Sequence, residues 1–390
     1  MIKKLLLALA ALSLLIPVAA CAPGPALPET IKIGCVLSTT GLLGPMGEDM
    51  MQAARLAVQE VNAAGGVLGK QVVLVEEDDA TEAARCLDRV KKMVEIDGVK
   101  VIVGGMFSGA SMASGPYIAD QKVLLVSPSA TSPEISVQPW TDWFCRTTPS
   151  DAFQGRVLAQ VVMDKGFTKL ATMVQDNPYG VGLEGALVDS LKEAGWKGKH
   201  VVSIHYDPAK MDYRTELGKT KDSNPDVVLA VTYCEDGIIV FKQALEMGLD
   251  KIAWLGCDGN YGPGMFEEPK CAEFMEKAIV AGTRAAGPSG ATYDRFAAAY
   301  KAAFKEDTSV YCDTTYDAIK MIAAAIQKAG KYDGKAARDA LLKIGKDYDG
   351  ASGTITFAKN GDRVSGTFEI WKVEKVAGAY KNVQVKLITV

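Results

Sequence analysis

Short apolar runs alternate with amphipathic stretches along most of this chain. Residues 31–37, 71–76, 99–103 and 123–126 read as strands. Between them, 48–64, 82–96 and 109–120 bring apolar residues back every three or four positions, the period of a helix. In the first of these, Met50, Ala54, Ala57, Val58 and Val61 share one face and Gly65-Gly66 stops it. The alternation then resumes, with helices over 153–165, 183–194 and 237–247 and strands over 169–174, 200–204, 226–231 and 252–255. The strands are nearly continuous in apolar residues, as strands buried on both faces are, so parallel sheets covered by helices are expected. Past Gly287 come helices over 293–305, 311–328 and 335–344. Residues 353–357 and 367–373 then flank Asn360-Gly361-Asp362, a hairpin signal. Such an ending suggests a chain that returns to complete two domains.

The first twenty-one residues follow another pattern. Lys3 and Lys4 precede an apolar run, Leu5 to Val18, and small residues lead to Cys21. That run of roughly 14 residues falls short of the ~20 needed to span a bilayer. It has the parts of a secretory signal peptide over 1–20. Val18-Ala19-Ala20-Cys21 resembles a bacterial lipobox, with Cys21 the lipidated first residue of the mature chain; an ordinary signal peptide ending near a cysteine is the alternative. Residues 21–30 then form a Pro-rich tether, and the remainder works outside the cytoplasmic membrane.

Composition narrows the function. Roughly 370 residues remain after Cys21, enough for two ordinary domains. With a net charge of −4 and no basic stripe, nucleic acid is not an expected partner. The eight cysteines contain no C-x-x-C pair and only His200 and His205 are present, so no metal site is expected. No G-x-S-x-G elbow occurs, and the two histidines sit in or beside one strand, where they fill an edge or face solvent; no catalytic residue and no cofactor is assigned.

In open parallel sheets, ligands sit beyond the carboxyl ends of the strands. After 31–37, 99–103 and 123–126 come Ser38 to Gly41, Gly104 to Gly109, and Ser127 to Ser132, all rich in small and hydroxyl residues. Hydroxyls and helix N-termini suit a carboxylate; ordinary capping and tight turns are the other account. In the second half, Tyr179, Tyr233 and Asp258 follow strands. The tyrosines suit an apolar ligand wall or a half-buried surface, and Asp258 suits an ammonium partner or a helix cap.

The stretches IKIGCVLSTTGLLGPMGEDMMQAARLAVQEVNAAGGVLG, VVLVEEDDAT, VIVGGMFSGASMA, LLVSPSATSPEI and CRTTPSDAFQG resemble the type I periplasmic binding proteins, most closely the branched-chain amino acid group of ABC importers. The likeness runs in order from residue 31 to GTITFAKNGDRV. It implies an α/β fold of two doubly wound lobes joined by a three-stranded hinge near 147, 279 and 351. The lobes would comprise 31–146 with 280–350, and 147–279 with 351–390. Ser108, Ser129, Ala130 and Thr131 would bind a ligand carboxylate, with the Ala130 carbonyl accepting from the ammonium. Asp258 would hold that ammonium, and Tyr179 and Tyr233 would close over the ligand. Asp258 is one methylene shorter than the glutamate common in leucine binders. Phe107 and Thr81 stand where that group often has a disulfide. A monomer that delivers its amino acid to an ABC permease is implied. The rival readings are a hydrolase, a sensor that signals to a receptor, and a binder of an aromatic or organic acid, urea or an amide.

Overall fold

The computed structural model describes residues 27–286 and 290–390. Two sheets organise it. The first contains β1 (Ile31–Leu37), β2 (Val72–Asp78), β3 (Val101–Gly104), β4 (Leu124–Ser127) and β5 (Phe144–Arg146) in the order β2-β1-β3-β4-β5. All its pairings are parallel. Helices α1 (Gly44–Ala63), α2 (Ala83–Glu95) and α3 (Ser108–Gln121) form its crossovers. β3 and β4 are buried along their whole length, which explains their unbroken apolar sequence.

The second sheet repeats this winding. After α4 (Asp151–Asp164), β6 (Lys169–Gln175), α5 (Pro178–Glu193), β7 (Lys199–Tyr206), α6 (Arg214–Asp222), β8 (Val227–Val231), α7 (Cys234–Glu246), β9 (Ala253–Gly256), α8 (Pro269–Ala278) and β10 (Ile279–Ala285) follow. The strands lie in the order β7-β6-β8-β9-β10, extended by β13 (Thr367–Val376) and β14 (Ala379–Thr389). β10 belongs to this sheet, so the chain stays there past the expected crossing at 279–280. Strand order reverses at β1 in one sheet and at β6 in the other, and ligand crevices form at such points. At Gly282 of β10 an added Cβ would lie 2.1 Å from the Trp371 indole, so only glycine lets that buried ring seat on the sheet.

Helices α9 (Ala291–Phe304), α10 (Cys312–Ala329) and α11 (Gly334–Ile344) return to the first lobe, where α10 packs against α1, β3 and β4. β11 (Tyr348–Gly350) and β12 (Gly353–Ile355) then form a small antiparallel pair. The expected hairpin over 353–357 and 367–373 is corrected here. β12 pairs with β11, β13 pairs with β14 around Gly378, and only a single Phe357–Arg363 bridge flanks the Asn360-Gly361 turn. That turn is drawn instead to the first lobe, where buried Arg146 Nε donates to Asp362 Oδ1 at 2.7 Å.

Arg363 fastens the segments that pass between the lobes. Its Nη1 donates to the Thr147 carbonyl at 2.9 Å and to Ser352 Oγ at 3.0 Å, and Nη2 donates to the Thr354 carbonyl at 2.9 Å. Thr147 Oγ1 in turn donates to the Thr314 carbonyl at 2.8 Å. Cys21 and the expected signal peptide lie outside the described residues. The seven cysteines that are described are all unpaired.

Candidate functional site

The carboxyl ends of both sheets face one cleft. Its first-lobe wall includes Met106, Phe107, Ser108 and Ser129, and its second-lobe wall Tyr179, Tyr233 and Asp258. Tyr311, just before α10, completes it. The free space is about 20 Å³, little more than one water needs, and Ser108 and Asp258 are buried. The lobes are therefore closed on each other, and a ligand of amino-acid size enters only when they part.

On the first-lobe side, Ser108 opens α3, whose first N–H groups have no intrahelical acceptor and point a partial positive charge into the cleft. The Ser132 N–H donates to Ser108 Oγ at 3.1 Å, and Ser129 Oγ donates to the Met106 carbonyl at 2.6 Å. These bonds lock the two loops together. Ala130 and Thr131 are buried just behind this wall rather than on it. The Ala130 carbonyl already accepts from Arg146 Nη1 at 3.2 Å, and the Thr131 carbonyl accepts from the Asp151 N–H at 2.9 Å.

The second-lobe side is aromatic and acidic. Tyr179 and Tyr233 stack with ring centres 5.4 Å apart and planes 9° from parallel. Each sits at a helix start, Tyr179 in α5 behind the Asn177 cap and Tyr233 immediately before α7. Asp258 Oδ1 accepts from Gln154 Nε2 at 2.8 Å and from the Tyr179 hydroxyl at 2.9 Å. Its Oδ2 accepts from the Tyr311 hydroxyl at 2.7 Å, a bond that runs from one lobe to the other. Burial pushes the Asp258 carboxyl above the usual carboxylate range, and these three donors pull it back. Asp236 supports Tyr233 from behind by accepting its N–H at 3.0 Å; burial pushes this carboxyl up to about 7.

Asp151, absent from the residues singled out in the sequence, is the polar group most in need of a partner. It is fully buried at the first position of α4, and neither carboxylate oxygen has a well-formed hydrogen bond among the described residues. Burial and then the charge of Asp258 push its carboxyl well above the usual range, against the pull of Thr131 and Arg146. Its charge helps to raise the hydroxyls of Tyr179, Tyr233 and Tyr311, which line the cleft, although Asp151 itself does not line the free space there. An unpaired buried carboxylate is costly unless a cation or proton joins it. In sequence, an Asp after a capping Ser reads as an ordinary helix start. Tyr311 was also missed: it lies within an expected helix, and nothing local signals its left-handed φ of 65°.

The two histidines lie far from this chemistry, on the exposed face of edge strand β7. A bulge between the pairs Leu170–His200 and Ala171–Val202 shifts the register of β7 between the two histidines, and both end beside Glu184. His205 Nε2 is 2.6 Å from Glu184 Oε2 and 3.3 Å from Ser203 Oγ. One ring nitrogen faces both groups, so they do not form a relay of serine, imidazole and carboxylate, in which the two nitrogens take separate partners.

Relatives share this architecture. The Leu/Ile/Val-binding protein BraC3 of Rhizobium johnstonii is 30% identical over 361 residues, covering 92% of this chain and 95% of that protein. The isoleucine complex of the branched-chain amino acid transporter substrate-binding protein LivJ from Streptococcus pneumoniae superposes with a TM-score of 0.77 at 27% identity, over 92% of this chain and all of that one. The leucine-binding protein LivK of Thermotoga maritima gives a TM-score of 0.82 at 23% identity, over 92% and 99% of the two chains. Residues 30–378 match the family model for periplasmic binding proteins, and the chain belongs to that family.

Proposed function

We propose that this protein captures a small amino acid, branched-chain or similar, between its lobes and delivers it to an ABC importer. The observation that carries this reading is Asp151, a buried carboxyl group with no well-formed hydrogen bond among the described residues, coupled to Asp258 of a cleft whose opposite wall is a helix N-terminus. The ligand ammonium supplies the cation that Asp151 lacks, shared with Asp258, and the ligand carboxylate takes Ser108 and the first N–H groups of α3. Tyr179 and Tyr233 enclose the side chain. Contacts to both lobes give the ligand its preference for the closed form, without which it would not shift the equilibrium. An aromatic acid or an amide brings no cation to the Asp151–Asp258 pair and leaves Asp151 unmatched. The likeness to BraC3 and LivJ supports the same ligand class.

Calorimetry with leucine, isoleucine and valine tests this. Asp151→Asn removes a charge-assisted bond of about 1.5–3 kcal/mol, so affinity falls by roughly tenfold or more while the fold persists. Unchanged affinity in that variant rules out Asp151 as the ammonium partner, and tighter binding of benzoate than of leucine rules out the amino-acid reading. We also infer that Cys21 carries the lipid anchor and that the protein acts as a monomer on the outer side of the cytoplasmic membrane. Mass spectrometry of the mature N-terminus and sedimentation of the soluble part test these two points.

A further inference from the structure

Helix α5 belongs to the second lobe, yet it packs against α3 and the segment Pro133–Val137 of the first. Gly182 sits at that crossing. A Cβ added there would lie 2.8 Å from Ser132 Oγ and 3.1 Å from Pro133 Cδ, closer than packed atoms stand. Neither neighbour gives way easily. Ser132 is fully buried, its Oγ accepts the Glu134 N–H at 3.3 Å, and its carbonyl accepts from Arg146 Nη1 at 3.0 Å. The Pro133 ring holds its own backbone angle fixed at the start of the short helix that follows. Gly182 lies inside α5 without a left-handed backbone, so its conformation does not call for glycine, and glycine inside a helix weakens it. What glycine allows here is the close approach of two lobes. Gly185, further along α5, has nothing within 4 Å of an added Cβ.

This crossing is tied to both walls of the cleft. Tyr179 stands three residues before Gly182 on α5, and residues so spaced share a helix face. On the first lobe, the Ser132 N–H donates to Ser108 Oγ at 3.1 Å. The depth to which α5 settles on Ser132 therefore sets the distance between Tyr179 and Ser108.

We propose that Gly182 is the stop on which the lobes come to rest, and that it selects ligands by size. The inference rests on the reading of the cleft as a site that closes over a small ligand. A side chain at 182 holds the lobes a fraction of an ångström apart. A gap of about 0.5–1 Å forfeits a quarter to a half of the contact attraction around a ligand that just fits. A larger ligand fills the gap and loses less.

The test titrates leucine and phenylalanine by calorimetry into the full-length protein and three variants. Gly182→Ala should weaken leucine binding by about tenfold and phenylalanine binding by about threefold or less, so the preference moves toward the larger side chain. The ligand-free thermal midpoint should not fall, since alanine favours the helix. Gly185→Ala makes the same chemical change in open space and should leave both affinities as they are. Adding Ser132→Ala to Gly182→Ala removes the nearest atom and should restore leucine binding by about threefold, a coupling that independent sites do not show. Wild-type leucine affinity in Gly182→Ala, equal losses for the two amino acids, the same loss in Gly185→Ala, or no recovery in the double variant would each overturn the proposal. If neither amino acid binds the wild type, the amino-acid reading falls. The same variants are then titrated with benzoate and 2-naphthoate, where the larger acid must gain on the smaller in Gly182→Ala, and an unchanged ratio would overturn the stop itself.

Discussion

Tyr311→Phe isolates the bond that spans the lobes. The substitution keeps the buried ring and deletes one hydroxyl, whose hydrogen bond to Asp258 Oδ2 is 2.7 Å long. Asp258 keeps Gln154 and Tyr179 on Oδ1 and loses the one donor that Oδ2 has among the described residues. A hydrogen bond to a charged group contributes about 1.5–3 kcal/mol. The two partners belong to different lobes, so this bond exists only while they are closed. Its loss therefore falls on the closing equilibrium, and leucine affinity drops by about tenfold to a hundredfold if the free protein rests open. The thermal midpoint without ligand should hardly move, because neither lobe loses an internal contact. Acidity adds a second signature. Tyr311 helps to hold the Asp258 carboxyl down against burial, so the variant's affinity begins to fall at a higher pH than the wild type's as the solution is acidified. Calorimetric titration across a pH series measures both effects. Unchanged affinity with intact secondary structure would refute the argument, as would a loss of affinity matched by an equal loss of ligand-free stability.

Two further outcomes concern stability. The Asp236 carboxyl is pushed from 3.8 to about 7 by burial, so the folded state holds its proton more tightly than the unfolded chain does. The stability this proton brings is complete below about pH 4 and is lost as pH rises through about 7. Asp236→Asn should flatten that part of the urea-denaturation profile, and parallel profiles would refute the assignment. Arg146→Met strips donors from Asp362, the Ala130 and Ser132 carbonyls and Ser136 Oγ. Breaking such a buried ionic network should cost about 3–5 kcal/mol by chemical denaturation; a loss below about 1 kcal/mol would contradict it.

The doubly wound architecture was legible because strands buried on both faces leave unbroken apolar runs and their crossovers leave a helical period. The cleft was partly legible, since strand-end loops follow from the same pattern and bring Ser108, Ser129, Tyr179, Tyr233 and Asp258 together. Asp151 was hidden because burial is a tertiary property, and Ser-Asp at a helix start looks the same with or without solvent. α8 and β10 were missed because Ala278 and Ile279 join helix to strand with no turn residue between them. β14 is a polar edge strand whose exposed residues give no apolar run. The Asn360-Gly361 turn was real, but Arg146 and the Ser136 carbonyl hold it on the opposite lobe, where no strand awaits it.

Arg363 gives the molecule a mechanical property. By gripping the chain at Thr147, Ser352 and Thr354 together, it turns separate connections into one stiff axle. Two crossing segments tied at one guanidinium must move together, so a shear of one past the other would break its hydrogen bonds, whereas a rotation about it need not.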